Sequence, residues 1–240
     1  MIQFFKNHLK KIINVLPPKI ACKLEFKRQK FDGYNERAIE FGFVFKSLGR
    51  IYPRKVLDVG TGETALPRLI KNCGFDVTAI DNITDYWSSG MTNRYYHILD
   101  KDITAANVDL GDTFDLVSCI SVLEHINDYN SAVNNMLRLL SSNGHLVLTM
   151  PYTENTYVED VYRLPDSNAY QKTIPFVCQS YSRNNINEWL ENNNAVVVEQ
   201  EYWRFWQGEF WSTGKQIIPP LKVASNERHQ LTCLLIKKLS

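Results

Sequence analysis

The stretch Val56-Leu57-Asp58-Val59-Gly60-Thr61-Gly62-Glu63-Thr64-Ala65 decides how the rest of the chain is read. Apolar residues from Val56 to Val59 predict a buried strand. Gly60 and Gly62 then permit a tight turn and let a ligand approach bare backbone. A helix is expected from about Thr64 to Cys73, and its first N–H groups have no partner within the helix. Asp58 is out of place in such a strand, because a buried carboxylate is costly unless it has a use. At this position it can accept hydrogen bonds from a cationic ammonium, whereas it repels a pyrophosphate.

Working outward, Val77–Ile80 reads as the next strand and ends on Asp81, about 20 residues beyond the turn, where a carboxylate can take a ribose diol. Tyr95–Leu99 is a weaker strand. Phe114–Ile120 is a strong one, followed by a helix from about Tyr129 to Leu140, and Gly144–Met150 is a strand that stops at Pro151. A helix near Arg183–Asn192 and strands near Val196–Tyr202 and Leu231–Lys237 close the list, and a helix over about Asn35–Leu48 precedes it. Strands alternating with helices imply βαβ units. The expected fold is α/β: a Rossmann-like three-layer sandwich with a mostly parallel seven-stranded sheet and an antiparallel last strand.

The chain has 27 Lys+Arg against 26 Asp+Glu, a balance that argues against a nucleic-acid partner gripped through its phosphates. Cys22, Cys73, Cys119, Cys178 and Cys233 form no CxxC pair, so neither a zinc site nor a disulfide framework is expected. Reduced thiols and the lack of a signal-peptide pattern favour a cytoplasmic location. Ile2, Phe5, Leu9, Ile12, Ile13 and Leu16 recur at helical spacing, with Lys6, Lys10 and Lys11 between them. This N-terminal helix reads as a lid on its own domain or as a peripheral membrane contact. The expected organisation is an N-terminal amphipathic helix and cap over 1–34 and one domain over 35–240. Substrate-binding insertions are expected near 152–182 and 203–230, since segments of that length are usually functional.

The motifs resemble those of class I S-adenosylmethionine-dependent methyltransferases of the small-molecule type. Asp58-Val-Gly60-Thr61-Gly62 resembles the first motif, with Thr64 where the family usually has a third glycine. Asp81-Asn82 resembles the second: the acid on the ribose hydroxyls, its neighbour against adenine. Asp102-Ile103 resembles the third, at the adenine amino group and ring. Phe114 through Ile126, including Ile120-Ser121 and Leu123-Glu124-His125, resembles the fourth strand and its turn. Leu139–Pro151 resembles the fifth-strand segment, and Tyr181-Ser182-Arg183 with Trp189-Leu190 a late helix. The resemblance covers roughly 56–190. It implies S-adenosyl-L-methionine as cofactor and methyl transfer to a small-molecule acceptor, expected to be a hydroxyl of a saccharide or secondary metabolite.

Two other readings stand beside it. Gly60-x-Gly62-x-x-Ala65 with Asp81 also matches an NAD-dependent oxidoreductase fingerprint, and a fold of this kind can be a catalytically silent cofactor-binding module. For methyl transfer to a hydroxyl, His125 is the candidate base, just past the fourth strand at the carboxyl edge where such folds bind ligands. The alternative is that the Glu124-His125 pair braces the loop. His229 is the other histidine within reach of that edge. Tyr152, Tyr157, Tyr162, Tyr170, Trp203, Phe205, Trp206, Phe210 and Trp211 are candidate acceptor contacts or a satellite core. Cys119 suggests covalent catalysis or, more simply, packing. No HExxH or clustered Asp/His pattern marks a metal. Sequence leaves the oligomeric state open.

Overall fold

In a computed structural model the residues described are 19, 20, 23, 31, 33–87 and 90–240. The helix read over Ile2–Leu16 lies outside them. The chain divides into a short unit, Met1–Asn35, and a large one, Glu36–Ser240; everything below concerns the large unit.

That unit opens with α1 (Arg37–Ile51), β1 (Lys55–Val59), α2 (Leu66–Asn72) and β2 (Asp76–Asp81). The short α3 (Ile83–Tyr86), β3 (Leu99–Asp100) and β4 (Phe114–Ile120) follow, and then a 3-10 turn at Leu123–His125. After it come α4 (Tyr129–Leu139), β5 (Leu140–Pro151), α5 (Arg183–Asn192), β6 (Ala195–Trp206), β7 (Gln216–Val223) and β8 (Leu231–Lys238). The sheet order is β3-β2-β1-β4-β5-β8-β6-β7. The first five strands are parallel, while β8 runs antiparallel to both β5 and β6, and β7 antiparallel to β6.

Both faces of the sheet are covered, which is why β1 and β4 are nearly continuous apolar runs. On one face Phe43, Val44 and Leu48 of α1 and Leu66 and Ile70 of α2 pack on Val56, Leu116 and Val147. On the other, Val133, Met136 and Leu137 of α4 and Ile186 and Trp189 of α5 pack on Leu57, Val117, Leu146 and Leu148. Each fully buried side chain of this kind contributes roughly 1.5–3 kcal/mol. These three layers are the expected architecture.

The sheet has eight strands rather than seven. The added strand is β7, an edge strand whose sequence Gln-Ile-Ile-Pro-Pro-Leu-Lys-Val masks its nature. Proline cannot donate to a ladder and is tolerated only at edges or bulges; here Pro219 and Pro220 fall within the register shift between Arg204 and Trp206. The expected strand at Tyr95–Leu99 shrinks to Leu99–Asp100, because the Asn93 carboxamide oxygen accepts from the N–H groups of Tyr95 and Tyr96 and holds them in a turn. The helix expected from Thr64 starts at Leu66, since Thr61 to Thr64 close a turn of their own.

The two long segments are fastened to each other. Asn168 donates from its side chain to the carbonyls of Ser212 and Gly214, and Ser167 bridges Thr213. Among the described residues, no helix is long and apolar enough to cross a membrane.

Buried Asn135 on α4 donates to the carbonyls of Ile103 and Ala105, pinning the loop that carries Asp102. Asn135→Ala leaves both carbonyls without that donor. It is expected to lower stability by about 1–3 kcal/mol, measured as a shift of the urea midpoint at unchanged slope.

Candidate active site

The carboxyl ends of the parallel strands converge on one cavity of about 900 Å³. That lies at the upper end of the roughly 300–1,000 Å³ typical of ligand pockets. Asp58, Gly60, Thr61 and Gly62 form one wall, with Asp81 and Asn82 beside them. Asp102 and Ile103 line one end, and Ile120, Ser121 and His125 line the crest of β4. The residues expected to bind the cofactor, with His125, thus line the same space, whereas Glu124 and the late-helix residues Tyr181 and Trp189 do not.

The glycine turn is built for backbone approach. Gly60 and Gly62 have φ of +70° and +54°, in the left-handed region that glycine tolerates best. A Cβ on Gly60 would stand 2.3 Å from Val122 Cγ1. The turn is held from below by Asp58, only 2% exposed. Its Oδ2 accepts from the Thr61 hydroxyl at 2.7 Å and its Oδ1 from the Ser118 hydroxyl at 2.7 Å. Burial pushes the Asp58 carboxyl up to about 6, against the pull of those two hydrogen bonds. Asn93 fastens the turn from above, donating at 2.8 Å to the carbonyls of both Gly62 and Thr64.

Asp81 closes the far side. Its Oδ2 accepts from the Gly62 N–H at 2.7 Å and its Oδ1 from the Trp87 indole N–H at 3.1 Å. A carboxylate has about four acceptor sites, so the ribose role remains open to it. Asn82 caps α3 by accepting from the Asp85 N–H. Both Asp102 oxygens accept from Thr104.

His125 sits in the 3-10 turn after β4. Its Nδ1 lies 2.6 Å from the Val177 carbonyl oxygen, which can only accept, so Nδ1 carries the proton and Nε2 the lone pair. Burial lowers its pKa and keeps the ring neutral. The Phe176 ring meets it edge-on at 4.6 Å. Glu124 Oε1 lies 3.9 Å from Nε2. Burial pushes the Glu124 carboxyl up to about 8, and among the described residues its Oε2 has no hydrogen-bond partner.

Sequence reasoning missed Arg37, Tyr86, Trp87, Lys101 and Phe176, which also line the cavity. Arg37 and Glu40 were readable as a charged i,i+3 pair at the start of a helix that continues through the apolar run Phe41–Phe45; Phe176 left no signal. Of the aromatic residues proposed as acceptor contacts, none lines this cavity: Tyr152 and Phe205 are buried in the two cores. His229 lies outside the lining too, stacked on Tyr152 at 5.5 Å. Burial raises the Cys119 thiol far above its ordinary value, which suits packing rather than nucleophilic attack.

Among the described residues, Asp58, Glu63, Asp81, Asp85, Asp102 and Asp128 line the cavity against only Arg37 and Lys101. That charge suits a cationic ligand and opposes a pyrophosphate, so it weighs against the dinucleotide reading. The fold and the site therefore define a Rossmann-like nucleoside-cofactor domain with an acidic pocket.

A family model described as a methyltransferase domain matches residues 28–200. The chain belongs to this family of class I S-adenosylmethionine-dependent methyltransferases. Ubiquinone biosynthesis O-methyltransferases of Haemophilus ducreyi and Psychrobacter arcticus are 29% identical over 123 residues and 33% identical over 106. Those matches cover 46% and 40% of this chain and 51% and 40% of theirs, so the chain spans about half the length of such relatives or less. Among solved structures, 1,6-didemethyltoxoflavin-N1-methyltransferase of Burkholderia thailandensis, with its substrate and S-adenosylhomocysteine bound, has a TM-score of 0.56 at 15% identity. It covers 96% of this chain and 90% of its own. Coclaurine N-methyltransferase bound to N-methylheliamine and S-adenosylhomocysteine also reaches 0.56 at 15% identity, over 87% of this chain and 75% of its own. At such identity these likenesses show the fold.

Gly60→Ala puts a methyl group into Val122 at a left-handed φ. Gly62→Ala carries the same φ penalty, but its Cβ meets only Trp87, at 3.5 Å. Gly60→Ala is expected to melt at lower temperature than Gly62→Ala and to lose S-adenosylhomocysteine binding by more than about tenfold. Differential scanning fluorimetry and titration calorimetry measure both.

Proposed function

We propose that this chain transfers a methyl group from S-adenosylmethionine to a hydroxyl of a small, flat acceptor, with His125 as general base. The observation that carries this is the 2.6 Å approach of His125 Nδ1 to the Val177 carbonyl oxygen: an Nδ1–H donated there leaves the lone pair on Nε2, in a histidine that lines the same cavity as the glycine turn and Asp81. Bound there, the cofactor supplies a methyl group already activated by a positively charged sulfur. The chain's own residues do the rest. Asp58 and Arg37 line the same cavity; together they offer an acid to the ammonium and a cation to the carboxylate of the amino-acid end. Asp81 and Asn82 take the ribose and adenine edge, with Asp102 and Ile103 at the ring. His125 would accept the hydroxyl proton at Nε2 as the oxygen–methyl bond formed and the sulfur–methyl bond broke, the bonding pair leaving with the sulfur of S-adenosylhomocysteine, and Glu124 stands beside the imidazolium that would result.

The acceptor side is aromatic. Tyr86 and Phe176 stand at the cavity with ring centroids 6.4 Å apart, and Phe176 packs on His125. Such faces suit an unsaturated ring at least as well as a saccharide. The sequence relatives are O-methyltransferases, which supports a hydroxyl over an amine. The two solved neighbours are N-methyltransferases, so a basic amine is the second reading; a neutral amine already presents its lone pair and needs no base.

His125→Ala is expected to lower turnover about 10²–10⁴-fold on a hydroxyl acceptor, the usual contribution of a positioned base. S-adenosylhomocysteine affinity should hardly change. The wild-type rate should climb with pH through an ionisation below 6.5, because burial lowers this histidine, and that limb should vanish in the variant. Transfer of labelled methyl at normal rate in a well-folded His125→Ala would discard the base and favour the amine.

A second expectation concerns Asp58. If its charge grips the ammonium, S-adenosylhomocysteine affinity should rise as pH increases through about 6, where the carboxyl ionises. Asp58→Asn should flatten that dependence. Folding stability moves the other way. With a native pKa raised above the unfolded value, Asp58 contributes stability that is fully present below about 4 and lost as pH rises through about 6.

A further inference from the structure

Glu40 lies on α1, outside every motif of the glycine turn and the strand ends, and its side chain is wholly buried. Three hydroxyl or guanidinium donors converge on it. Oε1 accepts from the Ser121 hydroxyl at 2.5 Å and the Thr149 hydroxyl at 2.7 Å. Oε2 accepts from Arg37 Nη1 at 2.8 Å, and the same nitrogen reaches the Ile120 carbonyl at 3.3 Å. One carboxylate thus ties α1 to the crests of β4 and β5.

Anchoring a helix to a sheet does not need a charge. Phe43, Val44 and Leu48 already do that on the same helix, and burying a carboxylate is costly unless each lone pair is used. What distinguishes Glu40 is the set of groups it holds. Arg37 and the Ile120–Ser121 crest line the cavity, whereas Glu40 and Thr149 do not. Ser121 sits at φ +50°, a left-handed conformation that a non-glycine residue keeps only when its surroundings impose it. Its N–H is fixed by the carbonyl and hydroxyl of Thr149, and its hydroxyl by Glu40.

We propose that Glu40 is a positioning residue for cofactor recognition: it sets Arg37 and the Ile120–Ser121 crest so that they grip the amino-acid end of the cofactor, and it leaves the adenosine end untouched. This rests on the reading of the cavity as the S-adenosylmethionine site. The adenosine end is held by separate groups, Asp81 through Gly62 and Trp87 and Asp102 through Thr104, none of which touches Glu40.

Two probes separate the ends. S-adenosylhomocysteine has both; 5′-methylthioadenosine keeps adenine, ribose and sulfur but lacks the amino acid. Calorimetry on the full chain with both probes is expected to show wild type binding S-adenosylhomocysteine the more tightly. Glu40→Gln should weaken S-adenosylhomocysteine about tenfold, the size of one charge-assisted hydrogen bond, and 5′-methylthioadenosine less than about twofold. Glu40→Asp should recover part of the loss. Thr149→Val removes a single donor from Glu40 and should give a smaller loss confined to the same probe, which keeps the test open should Glu40→Gln fold poorly. Equal weakening of both probes in these variants, or none, would overturn the positioning role. Wild type binding neither probe would instead overturn the reading of the cavity itself.

Discussion

One buried carboxylate holds the working edge of this sheet together. Asp58 stands two residues before the glycine turn, and its two oxygens reach in different directions: Oδ1 to Ser118 on the neighbouring strand β4, Oδ2 to Thr61 within the turn. The first bond fixes β1 against β4 at the level where the cavity begins. The second fixes a turn whose two glycines have backbone conformations that most residues refuse. An apolar residue at 58 would keep the strand and deprive the Thr61 and Ser118 hydroxyls of their carboxylate acceptor. The carboxylate also belongs to the acidic lining of the cavity, so the same group that braces the fold contributes to the charge a ligand would meet there.

The polar network continues sideways from that point. Asp81 takes the Gly62 N–H, Asn93 takes the carbonyls on either side of Glu63, and Asn135 holds the loop behind Asp102. On the other side Glu40 gathers Arg37, Ser121 and Thr149. Each anchor comes from a different element, so the rim of the cavity is a set of loops with several independent fixings. Preorganisation of this kind lowers the ordering cost that a ligand would otherwise meet.

What the sequence revealed and what it hid follow from how far each signal had to travel. The turn and Asp81 could be read because each sits at the end of a strand whose apolar run announces it, whereas Asp102 follows only the two exposed residues of β3 and was readable through its likeness to the family's third motif. Arg37 and Phe176 reach the same cavity from a helix before the first strand and from a loop after the fifth, by tertiary packing that no local pattern encodes. The strand β7 was hidden for a different reason. Pro219 and Pro220 argue against a ladder, and only an edge position with a shifted register accommodates them. The long segments contribute Pro175 and Phe176 to the cavity rather than the aromatic residues that stood out in the sequence, and Asn168 and the Ser167–Thr213 bridge lock the two segments to each other.

That locking has a consequence for the acceptor. With 152–182 and 203–230 tied together, the stretch of them that lines the cavity is Pro175 and Phe176. This stretch is itself fastened close by: the Val177 carbonyl accepts a hydrogen bond from His125 Nδ1–H, and the Cys178 N–H donates to Asp160. A ring that shifts Phe176 therefore also shifts the carbonyl that fixes the tautomer of His125. If His125 serves as the base, a displacement of Phe176 that carried Val177 with it would also disturb the contact that orients the imidazole.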